Sequence, residues 1–117
     1  MNPKDIVLKW IEAFNNADVE TIANLYSGDA INHQVMNEPV EGQQAIKDMF
    51  QKDFSSAKMV CIVENIFEDD NWIILEWCDP LGLRGCGIFH IVNDKIAFQR
   101  GYWDKLSFLK QHNLSQE

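Results

Sequence analysis

Residues 72–103 read WIILEWCDPLGLRGCGIFHIVNDKIAFQRGYW, and this stretch decides the predicted fold. Apolar residues recur at a period of two, which is typical of β-strands that bury one face. The pattern predicts strands over 72–79, 83–92 and 95–103, preceded by a similar strand over 58–67. The connections between them are short, and short turns join antiparallel neighbours. The sequence therefore predicts a four-stranded antiparallel meander.

Helical periodicity precedes these strands. Asn2 and Pro3 are typical of an N-cap and a first helical position, and Asp18 is typical of the N-cap of a second helix. A third helix is predicted to begin near Gly42, and Asp104 is predicted to cap a last helical stretch after the strands. The inward-facing apolar residues of the first two helices are Val7, Trp10, Ile11, Phe14, Val19, Ile22, Ala23, Leu25 and Tyr26.

The predicted architecture follows from the order of these elements. Only a short extended piece, 30–33, is predicted between the second and third helices. Helices that precede a sheet must cover one of its faces, which defines the α+β class. We therefore expect a single domain over 1–117, with three helices packed against a strongly curved, mainly antiparallel sheet.

Composition limits the classes of partner. The chain has 117 residues and a formal net charge of −8, and its ten Lys and Arg residues form no run. Nucleic acids and anionic membranes both require clustered basic side chains, so neither is expected as a partner. The sequence shows no signal-peptide pattern and no apolar stretch of membrane-spanning length, and a cytoplasmic location is expected.

The cysteines predict neither a disulfide framework nor a metal site. The sequence contains three cysteines and no CxxC motif, so reduced thiols are expected. A hairpin turn at 80–82 would set Cys78 opposite Arg84 and Cys86 opposite Glu76, which leaves no compact tetrahedral cluster. No metal and no cofactor is expected.

Several short motifs, in this order, resemble the SnoaL-like superfamily, which includes nuclear transport factor two, ketosteroid isomerase, limonene epoxide hydrolase and the SnoaL-like polyketide cyclases. The SnoaL-like branch is the nearest. The resemblance implies a cone-shaped fold that encloses an apolar pocket for a small hydrophobic or aromatic molecule. The motifs are WIEAFNNAD at 10–18, LYSGDA at 25–30, EGQQAI at 41–46, GIFHI at 87–91 and RGYWD at 100–104.

The resemblance does not carry over the catalytic groups of the hydrolases and cyclases. The Arg-x-Asp pair of the epoxide hydrolases falls on Trp77 and Asp79, so the arginine is absent. Their second aspartate, and the acidic residue of the cyclases, both fall on Gly101. Neither constellation is therefore expected.

The constellation of the isomerases is absent as well. Their tyrosine falls on Trp10 and their protonated aspartate falls on Gly87, while their base falls near His33 or Gln34. No carboxylate stands at that last position, although a histidine there could act as a base near neutral pH.

Asp79 and His33 remain as candidate catalytic residues. Strand alternation sets Ile73, Leu75, Trp77 and Asp79 on one face, and the resemblance assigns that face to the pocket. Burial there would favour an acid–base role for the Asp79 carboxyl group. The alternatives are a turn residue in Asp-Pro-x-Gly and a structural histidine. Predicted ligand-binding residues are Trp10 and Tyr26 from helices over the pocket mouth, with Trp77, Phe89, Gln99 and Trp103 from the strands.

Two glycines and the outer face of the sheet complete the predictions. Gly85 and Gly87 either enlarge the pocket or mark a bend in the strand. Trp72, Ile74 and Ile88 would form an apolar patch on the outer face, and we expect a homodimer through this patch.

Three functions stay open. The first is isomerase, cyclase or hydrolase chemistry in the pocket, and the second is non-catalytic binding of a hydrophobic molecule. The third is a dimeric interaction module whose pocket is filled by its own side chains. A cavity lined by Asp79 would speak against the third function, and an interior packed shut would support it.

Overall fold

The computed structural model describes residues 1–114, and in them the chain forms four helices and six strands. The elements are α1 (Pro3–Asn15), α2 (Val19–Asn24), β1 (Tyr26–Gln34), β2 (Val40–Glu41), α3 (Gln43–Ser56), β3 (Ile62–Asp69), β4 (Trp72–Cys78), β5 (Arg84–Val92), β6 (Lys95–Tyr102) and α4 (Lys105–Gln111). The α+β class is confirmed. The last helical stretch makes a fourth helix, so the expectation of three helices was incomplete.

The strands form one mixed sheet in the order β2-β1-β6-β5-β4-β3. From β3 to β6 neighbouring strands are antiparallel, as predicted. Cys78 lies opposite Arg84 and Cys86 opposite Glu76, which confirms the predicted register. The strand β1, however, pairs in parallel with β6. A nine-residue strand therefore replaces the short extended piece that was expected.

Tyr26 was predicted to lie on the second helix, but it is the first residue of β1. The helix α2 already ends at Asn24, and the Leu25 carbonyl accepts a hydrogen bond of 2.8 Å from the Ile96 amide. Helical spacing of apolar residues cannot distinguish the last turn of a helix from the first residue of a buried strand. The pairing of Tyr26 with Ile96 of β6 makes it a strand residue.

The start of β3 also differs from the prediction, because a side chain binds the backbone there. Residues 58–61 were predicted as strand, but β3 begins at Ile62. The Asn15 amide at the end of α1 accepts from the Cys61 backbone N–H at 2.6 Å and donates to its carbonyl at 3.0 Å. This bidentate contact satisfies both backbone groups of Cys61, which a neighbouring strand would otherwise satisfy.

The core lies between the helices and the inner face of the sheet. The helix α1 contacts β4 and β5, and α3 contacts β1. Trp10 is at the centre of an aromatic cluster, with ring centroids 5.0 Å from Phe14, 5.3 Å from Phe89 and 6.3 Å from Phe50. Fully buried aliphatic side chains surround this cluster, namely Val7, Ile22, Ile46, Ile73, Leu75 and Ile96.

Over residues 1–114, no helix combines the length and the apolar character that crossing a membrane requires.

Candidate functional site

A chain of hydrogen-bonded side chains runs through the interior between the helices and the sheet. It joins α1, β1, β6 and the residue that directly follows β6, and we call it the interior polar chain. Four of its members are predicted ligand-binding residues, whereas the two amides from β1, Asn32 and Gln34, were not predicted. The chain consists of Trp10, Tyr26, Gln99, Asn32, Gln34 and Trp103.

The first half of the interior polar chain is almost completely buried. The Trp10 indole N–H donates to the Tyr26 hydroxyl at 2.9 Å, and that hydroxyl donates in turn to Gln99 Oε1. The Asn32 amide nitrogen donates to the same Gln99 oxygen at 3.2 Å. Burial raises the pKa of the Tyr26 phenol well above its ordinary value, so this hydroxyl keeps its proton at neutral pH. Trp10 and Tyr26 are thus core residues rather than covers of a pocket mouth.

The second half leads from β1 towards α4. The Gln34 amide nitrogen donates to Asn32 Oδ1 at 2.7 Å, and the Trp103 indole N–H donates to Gln34 Oε1 at 2.7 Å. The Gln34 amide lies over Gly101, the residue opposite it on β6. The position at which the resemblance set an acidic side chain is therefore covered by an amide from the neighbouring strand.

Within residues 1–114, only the oxygen end of the Gln99 amide makes hydrogen bonds. Its oxygen accepts from Tyr26 and Asn32, but within residues 1–114 its nitrogen donates no hydrogen bond. Gln99 is only 5% exposed. Among the described residues, the Gln111 amide oxygen is the fully buried side-chain polar atom without a partner. The Gln99 nitrogen is not among such fully buried atoms, so it belongs to the small part of the residue that remains accessible.

Asp79 organises the turn between β4 and β5. Its Oδ1 accepts hydrogen bonds from the backbone N–H groups of Leu81 at 3.0 Å and Leu83 at 2.9 Å. Its Oδ2 lies 3.9 Å from Nε2 of His112, a residue that the sequence did not indicate. Asp79 directly follows the last residue of β4; it is buried, and it makes the contacts of a turn residue. Its catalytic role stays a prediction.

His33 faces away from the interior polar chain. The neighbouring residues Asn32 and Gln34 point inward, and alternate residues of a strand point to opposite faces. The His33 Nδ1 accepts a hydrogen bond of 3.2 Å from Arg100 Nε, and the Arg100 guanidinium lies 4.9 Å from the centre of the Phe98 ring. His33 thus contacts the side of the sheet that carries Arg100, and its catalytic role stays a prediction.

The space left by Gly85 is filled by Trp77. A β-carbon at Gly85 would lie 2.2 Å from Cζ2 of the Trp77 ring, so the indole rests directly on the glycine backbone. Phe89 is fully buried on the same strand, and its ring lies 3.4 Å from the position of a β-carbon on Gly87. Gly85 does not enlarge a cavity in this structure, because it accommodates a side chain of the protein itself.

An enclosed pocket is not confirmed. Two depressions on residues 1–114 both lie outside the interior. One is an open groove of about 530 Å³ at the ends of α1 and α3, between residues 15–17 and 54–59. The other, of about 260 Å³, lies beside Arg84 and Glu64 on the sheet. Aromatic rings and the interior polar chain occupy the place where the pocket was expected.

Aromatic and basic side chains share the side of the sheet that faces away from the helices. Trp72 stacks on His90 with ring centroids 4.2 Å apart, and it meets Phe98 edge-on at 6.4 Å. Trp72 remains 40% exposed. We call this surface the outer sheet face, and it comprises Trp72, Ile74, Ile88, His90, Phe98 and Arg100.

Comparisons with known proteins agree with this fold. The sequence model of the SnoaL-like domain matches residues 7–99. A hypothetical protein with a ketosteroid isomerase-like fold from Catenulispora acidiphila, solved in complex with trimethylamine, superposes with a TM-score of 0.85. It is 13% identical over 98% of this chain and 96% of that chain.

Two further solved structures are similar. An NTF2-like protein of unknown function from Cytophaga hutchinsonii gives a TM-score of 0.81 at 19% identity, over 93% of this chain and 96% of that chain. A LEH-like epoxide hydrolase from M. tuberculosis superposes with a TM-score of 0.78 at 19% identity, over 91% of this chain and 85% of that chain. At these identities the likeness shows the fold alone. None of the curated proteins compared with the chain matches it.

Proposed function

Because the chain belongs to the SnoaL-like domain family, we propose that it binds a small, largely apolar organic molecule between its helices and its sheet, without acid–base catalysis. The observation that carries this proposal is the interior polar chain. It brings six neutral hydrogen-bonding side chains together on the inner side of the sheet.

Stability alone is a poor explanation for such a cluster. A buried hydrogen bond adds only about 1 kcal/mol to the free energy of unfolding, whereas a buried polar group left without a partner costs about 1–3 kcal/mol. Apolar side chains of the same volume would fill this space without the cost of a buried polar group that lacks a partner. A role in recognising a ligand accounts for polar groups at this depth.

The same side chains argue against acid–base chemistry at this place. Amides and indoles do not titrate near neutral pH, and burial holds the Tyr26 phenol in its protonated form. Burial also raises the pKa of the Cys61 thiol to about 12, which suppresses the thiolate that a nucleophile requires. Asp79 Oδ1 is already used by two backbone N–H groups. General acid–base catalysis needs a titratable group, and the interior polar chain contains none that titrates near pH 7.

Ligand entry would displace side chains at the edge of the core. Phe14, Phe54 and Trp77 are only partly buried and pack against the fully buried cluster. Trp77 rests on Gly85 without a hydrogen bond from its indole nitrogen to any described residue. A ligand that took the place of this indole would contact the inner face of β4 and β5.

The test combines tryptophan fluorescence and thermal unfolding with a panel of steroids, terpenes, epoxides and aromatic polyketides. We expect at least one compound to quench fluorescence saturably, to raise the melting temperature, and to be recovered unchanged after long incubation. Trp77→Ala should change the affinity for that compound, whereas Trp72→Ala, which removes an exposed indole, should not. No saturable binding across the panel, or turnover that Asp79→Asn abolishes, would contradict the proposal.

A second function is favoured by the outer sheet face. We propose that two copies of the chain pair through this surface, which presents the stacked Trp72 and His90 rings and the Ile74–Ile88 pair. The partial exposure of Trp72 supports the pairing, because contiguous apolar surface of this kind is typical of association sites. The filled interior also favours it, since an interaction module needs no pocket.

Light scattering on a size-exclusion column tests the dimer. We expect twice the chain mass of 13.5 kDa at micromolar concentration. Ile88→Lys sets a charge in the middle of the outer sheet face and should give a monomer. Leu8→Lys introduces the same charge at an exposed apolar position on α1 and should leave the dimer intact. A monomer in the unmodified protein rejects the pairing.

A further inference from the structure

We infer that Gln99 recognises its ligand through the amide nitrogen, and that the group it recognises is an uncharged oxygen acceptor such as a ketone or an ether. This inference rests on the proposed binding function and names the chemical class of the ligand. The starting observation is that Gln99 is 95% buried while its amide nitrogen makes no hydrogen bond within the described residues.

The hydrogen bonds determine which end of the Gln99 amide is free. An indole nitrogen can only donate, so the Tyr26 oxygen must accept from Trp10. The Tyr26 proton then needs an acceptor, and the Gln99 oxygen provides it. If the amide were turned over, its nitrogen would face the Tyr26 proton and the Asn32 amide nitrogen, which also donates. The arrangement therefore holds the Gln99 oxygen inward and leaves two N–H donors for another partner.

The surroundings favour a ligand group without charge. Within the interior polar chain every side chain is neutral, and Phe89 lies directly opposite Gln99 on β5. Arg100, the neighbouring cation along β6, belongs to the outer sheet face and interacts with His33 and Phe98. A carboxylate at the Gln99 nitrogen would lose its hydration with no cation to replace it, which costs far more than the removal of a ketone from water.

A donor group is excluded by the same geometry. The free part of Gln99 presents only N–H, so an alcohol proton or an ammonium group would meet another donor. A carbonyl or ether oxygen would instead accept a hydrogen bond in an apolar environment, where such a bond is stronger than in water. The rest of the ligand would contact aromatic side chains such as Phe89 and Trp10, and an apolar skeleton suits them.

Three probes of one skeleton test the inference, namely 2-decalone, decalin and decalin-2-carboxylate. One buried hydrogen bond of ordinary strength corresponds to about a tenfold change in affinity. We therefore expect the unmodified protein to bind 2-decalone about tenfold more tightly than decalin, and to bind the carboxylate more weakly than either.

Two variants then assign the preference to Gln99. Gln99→Leu should bind the ketone no better than the hydrocarbon. Gln99→Met keeps the length of the side chain but has no N–H donor, so it should lose the ketone preference as well. Gln44→Leu, a matched change on the exposed surface of α3, should bind like the unmodified protein. Circular dichroism establishes that each variant is folded.

The outcomes separate the two proposals. Equal binding of ketone and hydrocarbon by the unmodified protein, or a ketone preference that survives both Gln99 variants, overturns the inference and leaves the binding function standing. If neither these probes nor any compound of the larger panel binds, the proposed binding function is overturned, and the inference is overturned with it.

Discussion

The Gln34 amide oxygen lies 2.0 Å from the position that a β-carbon on Gly101 would occupy. Position 101 therefore accepts only glycine while Gln34 keeps its place, which is held by Trp103 and Asn32. The two residues lie opposite each other on the parallel strands β1 and β6. This relationship links the glycine that the resemblance set at a catalytic position to the amide that covers it.

Gly101→Ala should disrupt the second half of the interior polar chain. The new methyl group would displace Gln34 and break its hydrogen bonds, which should lower the free energy of unfolding by about 1–3 kcal/mol. Urea denaturation measures this change. Gly28→Ala in β1 is the matched control, because a β-carbon there meets no atom within 4 Å. The cost at position 101 should shrink in a Gln34→Ala background, and an equal cost in both backgrounds would refute the steric explanation.

Tyr26→Phe should destabilise the first half of the chain. It removes the hydroxyl that accepts from Trp10 and donates to Gln99, so each of these buried side chains loses one hydrogen bond. We expect a loss of about 2 kcal/mol in the free energy of unfolding. Tyr102→Phe removes the same atom at an exposed site and should change little. Equal effects of the two substitutions in urea denaturation would argue against the buried network.

Asp53 on α3 should make stability depend on pH. Burial raises the pKa of its carboxyl group from 3.8 to about 6, and the nearby Lys52 lowers it only in part. The folded state thus binds the proton more tightly than the unfolded state. The favourable contribution is fully present below about pH 4 and is lost as the pH rises through about 6.

The Asp53→Asn variant isolates this contribution. It should be more stable than the unmodified protein by about 1 kcal/mol at pH 7.5, a value reduced for partial solvent screening, and nearly equal to it at pH 4. Asp48→Asn, an exposed carboxyl group on the same helix, is the control. A stability difference for Asp53→Asn that is the same at both pH values would contradict the assignment.

Asp79 should tolerate the loss of its charge but not of its oxygen. Asparagine keeps an oxygen that can accept from the Leu81 and Leu83 N–H groups, so Asp79→Asn should change the free energy of unfolding by less than about 0.5 kcal/mol. Asp79→Ala loses both hydrogen bonds and should cost about 1–2 kcal/mol. If both variants are destabilised equally in urea, the charge and its contact with His112 matter more than the turn.

The strands β4 to β6 were predictable because their information is local. Alternation fixed which residues of β4 face inward, and the short turn after Asp79 fixed the register of Cys78 with Arg84. The turn between β5 and β6 follows the same rule, since Asn93 and Asp94 adopt the positive φ angles of 51° and 61° that a two-residue hairpin turn requires.

The pairing of β1 with β6 was not predictable in this way. No turn joins these strands, and Tyr26 fits both a helical stripe and a buried strand equally well. Because β1 was predicted only as a short extended piece over 30–33, Asn32 and Gln34 were not recognised as an inward-facing pair, and His33 between them was expected near the pocket mouth. The alternation of side chains along a strand over 30–34 was the one signal that could have set Asn32 and Gln34 on one face and His33 on the other.

The sequence by itself determined the α+β class, the meander and most of the residues that meet in the interior, because periodicity and turn length act over a few neighbouring positions. Only the tertiary structure decided that Gln34 covers Gly101, that Trp77 fills the space at Gly85 and that the Gln99 amide nitrogen donates no hydrogen bond within residues 1–114. These relationships depend on side-chain packing and hydrogen-bond direction between strands far apart in the chain, which no local pattern records.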